Sequence, residues 1–342
     1  MLATGCMTER LNSIADIARI AGVSKSTVSR ALDDSPLISL DTKERIRDIA
    51  RDHGFQRNDV ARRLSLGQSR VIGLLTHPHT EGSLGARDSF VLELLGGISV
   101  GLREGGYDLL LIQAPASDTA WVSQYLDAGR VDGFVLMAPT CTRRQLDTLV
   151  KAGAPFVLWG VPGGRRGYST VSGDSLAGGR IATEHLLGLG RRSIGFIGGP
   201  VRQPEVQDRY HGYESALRAA GRELDRRLVI HGDYSPPSGA TAMALLLDRT
   251  PDLDAVFVTS DLMAIAAMDE IRGRGRRIPE DVAVVGYDDI TMARYTNPPL
   301  TTISQNVPLA GKLLAQSLIQ QIDDGTVTSV SIPAALVVRS SA

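Results

Sequence analysis

The sequence predicts a small all-α head of the helix-turn-helix kind, followed by an α/β body built on parallel sheets. Three observations carry that expectation. Residues 13–32 hold an apolar stripe, a glycine and a second short stripe, the spacing of two helices joined by a tight turn. From Val71 onward, short unbroken apolar runs alternate with amphipathic stretches, the texture of parallel strands covered on both faces. At 342 residues the chain is long for one domain and ample for a small domain plus a large one.

In the head, Ile14, Ile17, Ala18 and Ala21 recur at i, i+3, i+4 and i+7, and Gly22 follows where a left-handed backbone ends a helix. Ser24 is placed to cap a second helix, in which Val28, Ala31 and Leu32 face one way and Lys25, Ser26, Ser29 and Arg30 the other. A short helix with that polar face suits insertion into a DNA major groove. A third helix is expected over 39–53, with Ser39 as cap, Ile46, Ile49 and Ala50 on one face, and Phe55 closing the core. Residues 58–66 begin with Asn58, a capping residue, and are followed by Gly67-Gln68-Ser69, which breaks the pattern after barely two helical turns.

The body reads as a strand at Val71–Leu75, a helix at Phe90–Glu104, a strand at Tyr107–Gln113 and a helix at Trp121–Ala128. A strand at Gly133–Ala138, a helix at Gln145–Ala152 and a strand at Pro155–Trp159 follow. The pattern restarts near residue 173, with helices at Gly178–Leu189, 209–220, 238–249 and 261–274. Strands are expected there at Ser193–Ile197, Leu228–His231, Ala255–Thr259 and Val282–Tyr287.

Bulk composition excludes several classes. Apolar residues make up 43% and charged residues 22% of the chain, ordinary for a globular protein, and no apolar run approaches the length needed to span a bilayer. Net charge is −1, so a nucleic-acid partner must be argued from the motif. Two cysteines, Cys6 and Cys141, argue against a disulfide scaffold and fit a reducing cytoplasm. Residues 1–10 read as a loose tail lacking the basic and apolar segments of an export signal, with Met7 an alternative start. An enzyme is disfavoured: Gly195-Phe196-Ile197-Gly198-Gly199-Pro200 lacks the spacing of a dinucleotide loop, and no Ser/His/Asp elbow or Walker loop occurs. No cofactor is expected. His77 and His79 lie two residues apart without an acidic or cysteine ligand set, so no metal site is expected either. A transport binding protein would need an export signal and no helix-turn-helix.

Ala21-Gly22-Val23-Ser24-Lys25-Ser26-Thr27-Val28-Ser29-Arg30 closely resembles the N-terminal signature of the LacI/GalR family of bacterial transcription regulators, and the resemblance continues over nearly the whole chain. It implies a body of the two-lobed periplasmic-binding-protein type I fold, crossed by the chain near 172, 304 and 330. The expected division is a tail over 1–10, a DNA-binding domain over 11–57, a hinge helix and linker over 58–69, and an effector-binding and dimerisation domain over 70–342. Within that last domain one lobe takes about 70–172 and 305–330, the other about 173–304 and 331–342.

The resemblance also implies roles. Lys25, Ser26 and Arg30 meet base edges, with Ser13, Ser24, Thr27 and Ser29 nearer phosphates. Asn58 caps the hinge helix, Leu64 matches the leucine that wedges into the minor groove, and Ala61 permits close approach of the paired helix. Arg57 stands where the family usually has proline. A cleft at the strands' C-terminal ends is the expected effector site. Asp208-Arg209-Tyr210-His211-Gly212-Tyr213 resembles the family's effector-anchoring arginine segment, and Gly286-Tyr287-Asp288-Asp289 its effector-binding aspartate loop. Asp288 and Arg209 suit a polyol, one accepting hydroxyl hydrogen bonds and the other donating them; Tyr234 and Phe90 offer flat faces to a sugar ring. Ser260 and Asp261 match a strand end where the family places Asn or Asp. The loop 77–89 is longer than usual and Gly160 replaces a frequent acidic residue, which together point to an effector larger than a monosaccharide, such as a disaccharide. The expected protein is a sugar-released repressor on a palindromic operator, acting as a homodimer because no heptad tail follows Val338.

Overall fold

The computed structural model describes residues 13–55, 68–76, 88–115, 117–138, 141–160 and 167–342. Asn58, Ala61 and Leu64, the paired histidines His77 and His79, and Cys6 lie outside the described residues. The chain divides into two compact units, Met1–Gly67 and Gln68–Ala342.

In the first unit α1 (Ile14–Ala21), α2 (Lys25–Leu32) and α3 (Leu40–Asp52) enclose Ile17, Ala18, Ala21, Val28, Ala31, Ile46 and Ala50. Ser13, Ser24 and Ser39 each cap the following helix by accepting a backbone amide three residues on. A cap contributes about 1 kcal/mol, which matters where the core is this small. Gly22 adopts φ 64 and ends α1 as its position predicts. The loop between α2 and α3 is tied by Asp34, whose carboxylate meets Lys43 at 3.1 Å and Arg47 at 2.8 Å. Those two partners hold its carboxyl below the usual aspartate range, first through hydrogen bonding.

The second unit contains two six-stranded sheets. The first has the order β11-β5-β4-β3-β1-β2, from β1 (Val71–Thr76), β2 (Asp108–Gln113), β3 (Gly133–Met137), β4 (Phe156–Trp159), β5 (Ser169–Gly173) and β11 (Ser329–Ile332). The second has the order β12-β10-β9-β8-β6-β7, from β6 (Ile194–Gly198), β7 (Val229–His231), β8 (Ala255–Val258), β9 (Ala283–Asp288), β10 (Thr301–Ser304) and β12 (Ala335–Val337). All pairings are parallel except β10 with β12. The chain passes between sheets after β5, after β10 and after β11. Helices α4 (Ser89–Glu104), α5 (Trp121–Leu126), α6 (Arg143–Lys151) and α11 (Val307–Asp324) cover the first sheet. Helices α7 (Ser175–Gly188), α8 (Pro204–Ala219), α9 (Pro236–Arg249) and α10 (Asp261–Gly273) cover the second.

The differences from expectation have physical causes. Helix α7 starts three residues before the predicted Gly178 because Asp174 caps it, and α8 starts five before residue 209 because Pro204 occupies its first turn. Helix α11 is an addition to the elements read above, as are β5 and β10–β12; Asn306 caps it and Gly325 ends it at φ 77. Cys141 is a free thiol that burial pushes up to about 12. Among the described residues no helix is long and apolar enough to cross a membrane.

Helices α4 and α11 cross at glycines. A Cβ on Gly97 would overlap the Pro308 carbonyl, which is backbone and cannot swing away. Gly97→Ala is therefore expected to lower stability by about 1–3 kcal/mol, read from urea unfolding; an unchanged midpoint would show that the crossing relaxes freely.

Candidate functional site

The polar face of α2 is built by its cap. Ser24 Oγ lies 2.7 Å from Ser26 Oγ and 2.8 Å from Thr27 Oγ1, and accepts the Thr27 amide at 3.1 Å. Ser24, Lys25, Ser26 and Arg30 are exposed, while Thr27 and Ser29 are half-buried. Ser29 Oγ points toward Asp33 at 3.5 Å, and Ser13 Oγ donates to Asp16 at 2.7 Å besides capping α1. Neither Lys25 nor Arg30 is ion-paired with another described residue, so α2 offers two uncommitted cations and a row of hydroxyls. That donor set suits phosphate oxygens and guanine edges.

In the second unit a cleft opens between the two sheets, with an empty volume of about 520 Å³ that is partly open to solvent. Arg209 anchors its floor. It lies in the second turn of α8, which crosses α7 so closely that a Cβ on Gly179 would overlap the Arg209 carbonyl. Its guanidinium carbon sits 3.7 Å from the Tyr287 ring centroid and Nη1 donates to the Thr259 carbonyl at 2.8 Å. Burial opposes its charge, but Tyr287, Tyr234, Asp288 and Glu205 outweigh that and hold its pKa above the ordinary arginine value.

Asp288 ends β9 with φ 116, and its Oδ1 accepts from Gln305 Nε2 at 2.7 Å. Burial pushes its carboxyl up to about 7; Asp88 adds to the rise and Arg209 opposes it. Phe90, Tyr234 and Ser260 also line the cleft, so five of the six residues assigned there by sequence meet in one place. Asp261 is the exception and corrects the sequence reading. Fully buried behind β9, its carboxylate accepts from the Ile290 amide at 2.9 Å and the Thr302 hydroxyl at 2.6 Å. Burial, then the neighbouring Asp288, raise its pKa well above the ordinary aspartate value. It shapes the loop after β9 rather than facing the cleft.

Four polar or aromatic lining residues went unassigned in the sequence. Asp88 caps α4 by accepting the Phe90 amide at 2.8 Å, and burial raises its pKa. Trp159 ends β4 and packs 5.9 Å from Phe90 between ring centroids. Gln305 follows β10, and Glu205 stands one helical turn before Arg209 on α8. Trp159 and Gln305 were findable, because each closes a parallel strand facing the cleft. Glu205 gave no signal beyond its i, i+4 spacing to Arg209. It also lies beside Gly160, where a φ of 123 and the closeness of the Ala138 Cβ demand glycine, and where a Cβ would further crowd the Glu205 carboxylate. Glu205 thus brings a carboxylate from the other lobe to the end of β4. The resulting site is rich in acceptors and walled by flat rings, the chemistry that holds a polyhydroxylated ring.

Comparison with known proteins agrees with this geometry. Residues 13–58 match the description "Bacterial regulatory proteins, lacI family", and residues 183–342 match a periplasmic binding protein-like domain. The HTH-type transcriptional regulator CelR of Thermobifida fusca is 36% identical over 319 residues, covering 92% of this chain and 93% of that one. The ribose operon repressor of Haemophilus influenzae is 32% identical, covering 90% and 91%. Among solved structures, a CelR–cellobiose complex is similar at a TM-score of 0.74 and 35% identity, covering 96% of this chain and 99% of that one. A lac repressor dimer bound to operator and an anti-inducer aligns at 0.83 and 25% identity, covering 97% and 99%.

The raised Asp288 pKa has a measurable consequence. Between the ordinary aspartate pKa and about 7, the folded chain keeps a proton that the unfolded chain has lost, so stability falls as pH rises through that window. Below the window both states are protonated and the loss vanishes. Urea midpoints from about pH 4 to pH 8 are expected to decline less steeply in Asp288→Asn than in the parent; parallel profiles would mean that Asp288 is ionised throughout.

Proposed function

The chain belongs to the LacI family of bacterial regulatory proteins, DNA-binding transcriptional regulators rather than enzymes, and from that premise we propose a repressor of carbohydrate-utilisation genes, released from a palindromic operator by a disaccharide of the cellobiose kind. What carries the proposal is the cleft, where aromatic faces stand on both sides of an acceptor-rich floor. Residues 11–57 read the operator, 58–69 link, and 70–342 bind effector and form a homodimer in the cytoplasm. Lys25, Ser26 and Arg30 meet base edges; Ser24, Thr27, Ser29 and Ser13 lie nearer phosphates.

Phe90 and Trp159 from one lobe and Tyr234 from the other stack on C–H faces of the sugar, while Asp88, Glu205 and Asp288 accept its hydroxyls and Arg209 donates. Support comes from the relative whose solved complex holds cellobiose, a two-ring sugar. Release requires that the sugar prefer the lobe arrangement that binds operator poorly, by a differential affinity equal to the loss on DNA.

The test is fluorescence anisotropy on a palindrome from the protein's own promoter region, at fixed salt, with and without a panel of mono- and disaccharides. Cellobiose is expected to weaken operator binding at least about tenfold. A response to monosaccharides alone would remove the disaccharide assignment, and a sugar that tightens binding would remove release. Arg30→Ala is expected to cost about 1–3 kcal/mol on the operator and far less on bulk DNA. An equal loss on both would reassign Arg30 from bases to phosphates.

A further inference from the structure

The chain enters the body at Ser69 and Arg70, and one carboxylate there receives three hydrogen bonds. Asp132 Oδ1 accepts from the Ser69 amide at 2.7 Å and from the Ser69 hydroxyl at 2.9 Å, and Oδ2 accepts from the Arg70 amide at 2.8 Å. Arg70 has φ 55, an uncommon backbone for a residue with a side chain, which persists only where its surroundings fix it. Its carbonyl accepts the Asp108 amide at 2.8 Å, and its guanidinium carbon lies 4.9 Å from the Tyr107 ring centroid.

The second sheet carries the same device in the same place. Asp254 stands immediately before β8 as Asp132 stands before β3, and it accepts the amides of Arg192 and Ser193, just ahead of β6, at 2.8–3.0 Å. Aligning the starts of two neighbouring parallel strands accounts for Asp254 in full. The two copies differ in what precedes the clamped pair. Arg192 follows α7 of its own lobe, whereas Ser69 follows the linker from the DNA-reading head.

We propose that Asp132 is a positioning residue for allosteric coupling: by gripping two successive amides and a hydroxyl at the body's entry, it passes movement of the paired β1 and β3 strand starts to the linker and so to the head. The inference rests on the effector-responsive reading above. With both amides held by one rigid carboxylate, the direction in which the chain leaves β1 follows that lobe; with the grip weakened, the lobe moves and the linker does not follow.

The matched copy supplies the control. Full-length Asp132→Asn and Asp254→Asn make the same chemical change at equivalent strand starts, so both lower stability comparably if the clamps are only structural. Cellobiose binding by calorimetry is expected to stay within about twofold of the parent in both, because neither residue lines the cleft. The ratio of operator affinities without and with cellobiose is expected to fall at least about fivefold in Asp132→Asn and to hold in Asp254→Asn. An unchanged ratio in Asp132→Asn, or an equal fall in both variants, overturns the proposal. If the parent itself ignores every sugar, the effector reading fails, and sugar-free operator affinity decides this one: a drop confined to Asp132→Asn supports it, and no drop overturns it. Should Asp132→Asn not fold, Ser69→Ala removes the hydroxyl's bonds to Asp132 and to the Val71 backbone while leaving both clamped amides, and is expected to lower the ratio in the same direction; no change there overturns the proposal.

Discussion

Arg209 is 6% exposed, and a guanidinium taken out of water must be compensated from several sides at once. Much of the cleft can be read as that compensation. Tyr287 lies flat beneath the cation, the Thr259 carbonyl takes one of its hydrogens, and Asp288 and Glu205 supply opposite charge nearby. The close crossing of α7 and α8 at Gly179 brings the cation down to this level. Asp261 then holds the loop after β9, and with it the position of Asp288, by accepting from Ile290 and Thr302. Burial holds the Asp88 and Asp288 carboxyls above the ordinary aspartate range, and a ligand hydroxyl that donates to either one favours its ionised form.

The parts legible in the sequence are those with a local cause. Serine caps, the left-handed Gly22 and the 3.6-residue stripe fix the head, and unbroken apolar runs fix the central strands of both sheets. Asp288, Arg209, Tyr234 and Ser260 follow from resemblance and Phe90 from its flat apolar face, and the fold brings the five together. Asp261 was misassigned because its neighbour Ser260 faces the cleft; at a helix start, successive side chains point about 100° apart, and the next one turned into the sheet. Glu205 was invisible for the opposite reason. Its partner in space is Gly160, 45 residues earlier and in the other lobe, and an absent side chain leaves no mark on the sequence near the residue that replaces it.

The edge strands were also missed. Ser329–Ile332 and Ala335–Val337 are short and only partly buried, so neither a continuous apolar run nor a clean alternation marks them. Helix α11 had its signals, in Asn306, Pro308 and Gly325, and its apolar face packs between β3, β4, β5 and α4. Both lobes repeat one plan, strand order and aspartate clamp included, so a feature found in one half can be sought in the other.

The exchange of final strands between the halves constrains how the body can fold. The first sheet is completed by β11 and α11, which follow the whole of β6–β10, and the second by β12, which follows β11. Neither lobe is a contiguous stretch: the first cannot be finished until β6–β10 of the second have been synthesised, and the second is finished only by β12, after the first has its last strand. Docking β11 on β5 closes a span of more than a hundred residues, whereas β12 returns to β10 over about thirty. The body therefore matures late and as a unit, whereas the head, made of local contacts near the N-terminus, has all its residues available early.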